Sequence, residues 1–205
     1  MTYHTIKKNI CKSLLPALCV YSAMAHADAV ALMKTGIWED RKNDLMWARC
    51  NLGQNWDGHA CAGESIRVTY TNVGKFVKIY NTNVALGAYS DWRLPTIDEL
   101  MMLRKCSKQW ARESNNKTKL ALLTVIPNKR GLQKKVQALC ARGSIAPVIN
   151  QRTFPDTKKS YGYWSSTENA DNQTHWGVNF SGGFAFNAGE NYSAYVKLVR
   201  DNRQK

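Results

Sequence analysis

Short runs in which apolar and polar residues alternate occupy both ends of the sequence beyond its first 35 residues. Such alternation is typical of half-buried strands, because successive side chains of a strand point to opposite faces. These runs predict strands over residues 36–40, 44–49, 161–167, 174–180, 183–188 and 194–200. Polar or glycine-rich turns separate them, and Ser-Gly-Gly at 181–183 is predicted to close a hairpin.

The first of the predicted helices follows the N-terminal strands. Apolar residues recur there at i, i+3, i+4 and i+7, so they share one face of a helix. Thr71 is its expected N-cap, and the helix runs to about Asn81. The apolar positions are Val73, Phe76, Val77 and Tyr80.

The second helix is predicted to begin after Thr96, where the sequence contains a capping box. In this motif the side chains of Thr96 and Glu99 each accept a hydrogen bond from the backbone N–H of the other residue. Both N–H groups would otherwise lack a partner at the start of a helix. Apolar residues then continue the helix to about Cys106.

Residues 104–142, which we call the basic segment, differ in composition from the rest of the chain. They contain eleven Lys and Arg residues and one acidic residue, Glu113. Part of the segment is predicted to be an amphipathic helix, because apolar residues recur at i, i+4, i+7 and i+8. These are Leu132, Val136, Leu139 and Cys140. The whole pattern predicts an α+β domain with two to three helices and an antiparallel C-terminal meander.

The first 27 residues have the three parts of an export signal. Lys7, Lys8 and Lys12 form a positive region, residues 13–23 are mainly apolar, and Ala-His-Ala at 25–27 matches a signal-peptidase site. A membrane span needs roughly 18 apolar residues, which is more than this run provides. We therefore expect an exported protein of the periplasm, the cell surface or the medium, with no membrane span once the signal is removed. A retained N-terminal anchor is the alternative.

Four cysteines follow the expected signal, and an even number of cysteines in an exported chain predicts disulfides. Four cysteines can pair in three ways. Cys50–Cys61 and Cys106–Cys140 are favoured, because each pair is local and closes a loop-like segment. A zinc site formed by Cys50, His59 and Cys61 is the alternative, but its spacing matches no standard zinc motif. No metal site and no cofactor are expected.

Four stretches of the sequence stand out beside this pattern. They are Leu-Met-Trp-Ala-Arg-Cys at 45–50, with Gly53, Gln54 and Cys61 after it; Asp-Trp-Arg-Leu-Pro-Thr at 91–96, with Glu99 and Leu100; Tyr-Trp-Ser-Ser-Thr at 163–167; and Val-Lys-Leu-Val-Arg at 196–200. Together and in this order they resemble the Lcl C-terminal domain family, over roughly residues 35–201. This family is the globular end of a bacterial collagen-like adhesin and has long been regarded as a domain of unknown function.

The resemblance implies a C-type-lectin-like fold, related in shape to the formylglycine-generating enzyme domain. It also implies a link to sulfated glycans and host surfaces, which the domain of the collagen-like adhesin binds. This sequence has no Gly-X-Y tract, so avidity that depends on a collagen stalk is not carried over. Within the shared motifs we expect Trp47, Trp92 and Trp164 to lie in the core, and Asp91 and Arg93 to tie their loop together by hydrogen bonds.

The formal net charge of +14, from 29 Lys and Arg against 15 Asp and Glu, favours a polyanionic partner. Most of the excess lies in the basic segment, so we expect an anionic or sulfated glycan, or an envelope polymer, to bind there. A basic surface that only keeps the protein soluble is the alternative. The candidate polyanion-binding residues are Arg104, Lys105, Lys108, Arg112, Lys129, Arg130, Lys134 and Lys135.

The predicted C-terminal meander offers a second surface. Amide side chains suit sugar hydroxyls, and aromatic rings suit the apolar faces of sugars. The candidate glycan-contacting residues are Trp176, Asn179, Asn187, Asn191 and Tyr192, and the region also contains Asn169, Asp171, Asn172 and Glu190. The Glu-Pro-Asn and Gln-Pro-Asp motifs of calcium-dependent lectins are absent, so binding is not expected to need calcium.

The sequence contains no motif of a familiar catalytic centre: neither Gly-x-Ser-x-Gly, nor His-Glu-x-x-His, nor a phosphate-binding loop occurs. We therefore expect a binding protein with no catalytic residues. An accessory protein of a pilus, secretion system or envelope complex, which binds a surface protein, is the alternative function. Extracellular DNA is a further polyanion that this charge would attract. The oligomeric state is left open.

Overall fold

The computed structural model describes residues 34–107, 140, 143–169 and 173–202, and the backbone of two strands within the basic segment. The expected export signal, residues 1–27, lies outside the described residues. Two α-helices are described, α1 (Tyr70–Ile79) and α2 (Ile97–Met102). The described strands are β1 (Ile37–Asp40), β2 (Leu45–Ala48), β3 (Asn55–Trp56), β4 (Cys61–Ala62), β5 (Val68–Thr69), β6 (Leu123–Pro127), β7 (Lys134–Ala138), β8 (Tyr163–Asn169), β9 (Thr174–Asn179), β10 (Phe184–Ala188), β11 (Ser193–Ala194) and β12 (Val199–Asp201).

The first sheet brings the two ends of the domain together. β1 and β2 form the predicted N-terminal hairpin, and β12 pairs antiparallel with the other edge of β2. Arg93 forms an isolated antiparallel bridge with Val199, so the chain that leads into α2 is attached to the same sheet. Antiparallel sheets combined with separate helices make an α+β domain, as predicted.

The last predicted strand, residues 194–200, is wrong as a single element of the meander. β11 pairs with β5 and β12 pairs with β2. Among the described residues between them, only Tyr195 forms a bridge with the meander, an isolated parallel bridge with Tyr163 of β8. Also between β11 and β12, the carbonyls of Val196 and Leu198 accept hydrogen bonds from the backbone N–H groups of Leu52 and Ala48. Successive parts of this stretch form backbone hydrogen bonds with different segments of the chain. Alternation of apolar and polar residues predicts a strand but does not indicate which segment it pairs with.

The second sheet is the predicted antiparallel meander, with β9 between β8 and β10. The turn between β9 and β10 is closed by the N–H of Gly183, which donates to the carbonyl of Asn179 at 2.9 Å. Gly183 has a φ of 71°, which favours glycine. A Cβ at this position would also approach Arg104, Val148 and Cys140 to within 3.0–3.1 Å. The turn therefore packs closely against the beginning and the end of the basic segment.

α1 is the first predicted helix, but it begins earlier than expected. Its N-cap is Thr69, whose side chain makes no capping hydrogen bond, and the first helical residue is Tyr70. The cap expected at Thr71 is wrong because β5, which pairs with β11, ends at Thr69 and sets the start of the helix. A π-helical turn over Tyr80–Val84 then extends α1.

α2 begins with the predicted capping box. The N–H of Glu99 donates to Thr96 Oγ1 at 3.3 Å, and the N–H of Thr96 donates to Glu99 Oε2 at 2.7 Å. The helix ends at Met102, earlier than the predicted end. The chain turns there into an isolated antiparallel bridge between Arg104 and Ile149, which is incompatible with a further helical turn.

The basic segment contains a β-hairpin in the region where the sequence predicted an amphipathic helix. β6 and β7 pair antiparallel, with Val125 opposite Val136 and Ile126 opposite Lys135. The helical prediction for this region is therefore wrong, since residues 134–138 are a strand. Helical spacing of a few apolar residues can also arise by chance in a strand, and the partner that decides between the two lies elsewhere in the sequence.

Two clusters of buried side chains form the core. One contains Trp47 and packs α2 against β9, and the other contains Trp92 and Trp164 and packs the apolar face of α1. All three tryptophans are buried, as predicted, with exposed fractions of 1% or less. The three motif tryptophans therefore pack the core.

The loop before α2 is held by side-chain hydrogen bonds of Asp91 and Arg93, as predicted. The guanidinium of Arg93 donates to both carboxylate oxygens of Glu99 at 2.9 Å and to Asp201 Oδ1 at 2.7 Å. Asp91 accepts from Arg200 at 2.6 and 3.1 Å. These hydrogen bonds hold the pKa of Asp91 below its usual value. Residues 91–96 are thereby tied both to α2 and to β12.

The structure contains both disulfides that the sequence favoured. Cys50–Cys61 closes the loop that carries β3 and β4, and Cys106–Cys140 joins the two ends of the basic segment. Within the part of the chain that is described, no helix is both long enough and apolar enough to cross a membrane.

Candidate functional site

A cleft of about 410 Å³ opens where the chain leaves α2 and enters the basic segment. Two short stretches form its walls, and hydrogen bonds connect them. The N–H of Lys105 donates to the carbonyl of Val148 at 2.8 Å, and the N–H of Ile145 donates to Ser107 Oγ at 2.8 Å. We call it the basic cleft; its lining includes Lys105, Ser107, Ile145, Asn150, Gln151 and Arg152.

The basic cleft carries positive charge. Lys105 and Arg152 are both exposed, and none of the described residues that line the cleft is acidic. The backbone around Arg152 is fixed, because its carbonyl accepts from Arg49 Nη2 at 2.7 Å and its N–H donates to Asn150 Oδ1 at 3.2 Å. Two exposed cations are therefore presented from well-anchored backbone, together with the apolar side chain of Ile145, which is 73% exposed.

The Cys106–Cys140 disulfide lies at this cleft and connects the cleft to the turn of the meander. Cys106 lines the cleft, and the N–H of its partner Cys140 donates to the carbonyl of Gly182 at 3.3 Å. The turn between β9 and β10 thus holds both ends of the basic segment. Oxidation of this pair positions Lys105, which directly precedes Cys106.

Arg104 was predicted to bind polyanions, and the structure gives it a different role. Its Nη1 donates to the carbonyl of Gly183 at 2.8 Å, and its Nε donates to the carbonyl of Met101 at 3.2 Å. Burial lowers the pKa of Arg104. The side chain ties the C-terminal end of α2 to the turn of the meander, so it acts as a structural residue beneath the cleft.

The other predicted polyanion-binding residues are only partly placed. Lys105 lies in the basic cleft, and Lys134 and Lys135 are residues of β7, opposite Pro127 and Ile126 in the register. The remaining four lie outside the described residues: Lys108, Arg112, Lys129 and Arg130. Sequence reasoning missed Arg152, because it lies beyond the basic segment and reaches the cleft only through the bridge between Arg104 and Ile149.

The predicted glycan-contacting residues of the meander do not form one surface. Trp176 and Asn187 are opposite partners of β9 and β10, whereas Asn179 is three residues from Trp176 and so lies on the other face. Trp176 is half-buried against the core, and its indole Nε1 is enclosed with no hydrogen-bond partner in the described part of the chain. Asn179 Oδ1 accepts from the N–H of Ser181 at 2.8 Å and supports the turn.

Asn191 and Tyr192 lie apart from these residues, on the stretch between β10 and β11. Both are exposed. The ring of Tyr192 packs edge-on against Trp164 and Phe186, with centroids 5.7 and 5.6 Å away. Asn191 and Tyr192 are therefore accessible from solvent. The Tyr192 ring is held in place by its contacts with Trp164 and Phe186.

A second pocket, of about 310 Å³, lies at the far end of β9 from the basic cleft. We call it the polar pocket; its lining residues are Glu168, Asn169, Gln173, Thr174, His175 and Glu190. The register brings its walls together, because Glu168 is opposite His175 and Asn169 is opposite Thr174. The sequence had indicated Asn169 and Glu190 as polar residues of this region but not Glu168 or His175, whose proximity depends on strand register.

His175, which lines the polar pocket, is part of an aromatic stack. The ring of Tyr70, the first residue of α1, lies parallel to His175, with centroids 3.3 Å apart and an interplanar angle of 10°. The backbone N–H of Tyr70 donates to the carbonyl of Glu190 at 3.0 Å. Tyr70 therefore contacts both His175, through its ring, and Glu190, through its backbone. Burial raises the pKa of Tyr70, and the negative charge of Glu168 contributes to the same shift.

Lys197, from the fourth motif, is completely buried and adds nothing to a basic surface. Its Nζ donates to Asn51 Oδ1 at 2.9 Å and lies 4.8 and 5.3 Å from the ring centroids of Phe154 and Tyr163. Burial lowers the pKa of Lys197 to about 7, although the charge of Asp156 acts in the opposite direction. Like the tryptophans, this motif residue is part of the interior.

A family model described as the Lcl C-terminal domain matches residues 36–200, which include all four motifs. The match confirms the resemblance that those motifs indicated. No curated protein matches the chain.

Proposed function

Because the chain belongs to the Lcl C-terminal domain family, we propose that it is an exported, non-catalytic binding module. Its fold on this proposal is C-type-lectin-like, and its ligand is an anionic or sulfated glycan or an envelope polymer, which makes it adhesin-like. Two disulfides and an α+β domain of ordinary size support this, since disulfides persist in oxidising compartments outside the cytoplasm.

The basic cleft is the observation that carries the proposal. Lys105 and Arg152 are exposed on its walls, and no described lining residue supplies a competing negative charge. A guanidinium binds sulfate or carboxylate through two parallel hydrogen bonds, and an ammonium adds a compact point charge. Two cations on the walls of one cleft can pair with more than one anionic group of a polymer.

The surroundings of the cleft strengthen its field. The basic segment, residues 104–142, carries eleven cations and one acid. Surfaces that serve only solubility normally mix charges of both signs. A long polyanion bound at the cleft would therefore gain further attraction along this segment, and binding would weaken as salt rises.

The test is binding to heparin, a sulfated glycan. A Lys105→Gln, Arg152→Gln variant is expected to bind roughly tenfold more weakly than the wild-type protein, because two charge-assisted hydrogen bonds are lost. It should also elute from immobilised heparin at a lower salt concentration. A second variant that neutralises Lys129, Arg130, Lys134 and Lys135 measures the contribution of the rest of the basic segment.

The matched control is Lys75→Gln, Lys78→Gln, which removes the same charge from exposed positions of α1. If net charge alone governs binding, the control and the cleft variant will elute together, and the proposed site is wrong. If all three variants elute with the wild-type protein, the polyanion-binding function is wrong, and the accessory-protein alternative takes its place.

A further inference from the structure

The short antiparallel ribbon formed by β5 and β11 has a buried face and an open face. Val68 and Ala194 are opposite partners in the register and are 5% and 0% exposed. Successive side chains of a strand point to opposite faces, so the residues on either side of this pair lie on the other face. We call it the outer ribbon face; it carries Arg67, Thr69, Ser193 and Tyr195.

The guanidinium of Arg67 is held in place by an aromatic ring. Its Cζ lies 3.7 Å from the centroid of the Tyr161 ring, and that ring packs edge-on against Tyr195 with centroids 6.4 Å apart. Arg67 is exposed and forms no hydrogen bond or ion pair with any residue that the structure describes. Stacking therefore limits the freedom of the side chain, while its five N–H donors stay available to a ligand.

The backbone of Tyr161 provides an independent indication that this surface has a function. Its φ is 60°, in the left-handed region that a bulky side chain rarely adopts. Tyr161 is 44% exposed, so burial of the ring offsets little of the cost of that conformation. Backbone strain of this kind clusters at ligand-binding and active sites. The structure thus presents an exposed aromatic ring at an energetic cost to the fold.

The groups on this surface define the chemistry of a ligand. A guanidinium pairs with a planar carboxylate through two parallel hydrogen bonds. Exposed aromatic rings pack against the apolar faces of sugars, and the Ser193 hydroxyl can donate to and accept from a sugar hydroxyl. None of the four residues of the outer ribbon face is acidic, and the single cation among them, Arg67, matches one carboxylate.

We propose that the outer ribbon face binds a sugar that carries a carboxylate, such as a uronic acid unit of a glycan. Arg67 pairs with the carboxylate, Tyr161 orients the guanidinium and contacts the sugar ring, and Ser193 binds a sugar hydroxyl. Because the charge and the ring belong to one ligand, the site discriminates against neutral sugars and against free carboxylates.

This inference goes beyond the proposed function, because it uses a different surface and a different anionic group. The basic cleft is lined from residues 105–107 and 145–152, and none of these residues belongs to the outer ribbon face. A uronate that binds through Arg67 is therefore not expected to need Lys105 or Arg152.

The test uses D-glucuronic acid, with D-glucose as its neutral counterpart, D-glucose 6-sulfate as its sulfated counterpart and acetate as a free carboxylate. Amide NMR shifts of the full, oxidised chain are followed during each titration. Glucuronate is expected to shift the amides of residues 67–69, 160–163 and 193–195 saturably. It should bind at least roughly tenfold more tightly than each of the other three probes.

Two kinds of result from these titrations would overturn the proposal. No saturable shift at these amides, or equal binding of glucose, would show that the face is not a carboxylate site. Equal binding of glucose 6-sulfate or of acetate would contradict the assignment to a sugar that carries a carboxylate.

Arg67→Lys is the decisive variant, because it keeps the charge but loses the paired donors and the planar stack. It should bind glucuronate roughly tenfold more weakly, whereas Lys159→Gln, which removes an exposed charge close to Tyr161 in the chain, should bind like the wild-type protein. Tyr161→Asn should also lose affinity while unfolding at the same or a higher temperature, since asparagine adopts left-handed backbone more readily.

Wild-type affinity of Arg67→Lys or of Tyr161→Asn, or an equal loss in Lys159→Gln, would also overturn the proposal. The basic-cleft variant Lys105→Gln, Arg152→Gln should keep wild-type affinity for glucuronate. If that variant alone loses the affinity, glucuronate binds at the cleft, which overturns this inference and leaves the proposed function intact.

Discussion

Replacing Trp92 with alanine is expected to lower the free energy of unfolding by about 3–5 kcal/mol, because the change leaves a large cavity in the core. Trp92 is 1% exposed and packs edge-on against Tyr80 and Tyr89. Its indole Nε1 also donates to the carbonyl of Leu86 at 3.2 Å. The backbone of the same residue exchanges two hydrogen bonds with the Asn81 side chain, at 2.8 and 2.9 Å.

Urea unfolding of the oxidised protein measures this effect. Trp92→Phe should lose less stability than Trp92→Ala, since it keeps most of the packing and loses the bond to the Leu86 carbonyl. Met102→Ala is the control, because Met102 is 48% exposed and should change stability by no more than about 0.5 kcal/mol. A loss below roughly 1 kcal/mol for Trp92→Ala would show that this tryptophan does not anchor the core as described.

The buried Lys197 is expected to make stability depend strongly on pH above neutrality. Burial lowers its pKa in the folded protein to about 7, from 10.5 when exposed. Between these two values the unfolded chain binds more protons than the folded chain, so the free energy of unfolding rises with pH. Below pH 7 Lys197 is charged in both states, and the folded state bears the whole cost of the buried charge.

The expected rise across this window is on the order of 4 kcal/mol, since each unit of pKa difference corresponds to about 1.4 kcal/mol. Burial raises the pKa of Tyr80 and Tyr163. Above a pH of about 10 these tyrosines ionise more readily in the unfolded chain, and stability should fall again. The full profile therefore has its maximum near the upper end of the window.

The comparison with Lys197→Met isolates the lysine. Unfolding is measured from about pH 6 to about pH 10 for the wild-type protein, for Lys197→Met and for Lys159→Met, in which an exposed lysine is replaced. The absolute stability of Lys197→Met also reflects the lost partner of Asn51, so only the slope is decisive. If the free energy of unfolding rises with pH as steeply in Lys197→Met as in the other two proteins, Lys197 is not the source of the pH dependence.

Local sequence signals predicted the elements whose contacts are local. The capping box of Thr96 and Glu99 needs only residues three positions apart, and it formed as expected. The hairpin of β9 and β10 likewise follows from a glycine turn between two alternating runs. Trp92 was placed in the core correctly, because a large apolar ring before a capped helix has few other stable positions.

Elements that depend on distant partners were predicted less well. The start of α1 was misplaced because it is set by pairing of β5 with β11, over 120 residues later in the chain. The helix expected in the basic segment proved to be a strand, because β6 provides a pairing partner that helical periodicity cannot indicate. The final alternating run was divided between two sheets for the same reason.

The candidate sites likewise combine residues that local sequence indicated with residues that only tertiary contacts bring together. The excess of cations from residue 104 onwards indicated Lys105, which lines the basic cleft, and its role in binding stays a prediction. Arg104 instead donates to the backbone carbonyls of Met101 and Gly183. Arg152 joins Lys105 only through tertiary contacts. The polar pocket could not be predicted, because Glu168 and His175 become neighbours only through strand register.

The most direct test of the polyanion site is to map where a short heparin oligosaccharide binds on the full, oxidised chain, using amide NMR shifts at moderate salt. The largest saturable shifts are expected at residues 105–107 and 145–152, the two walls of the basic cleft. Saturable shifts centred on the exposed lysines of α1, or shifts spread evenly over all basic residues without saturation, would contradict the account.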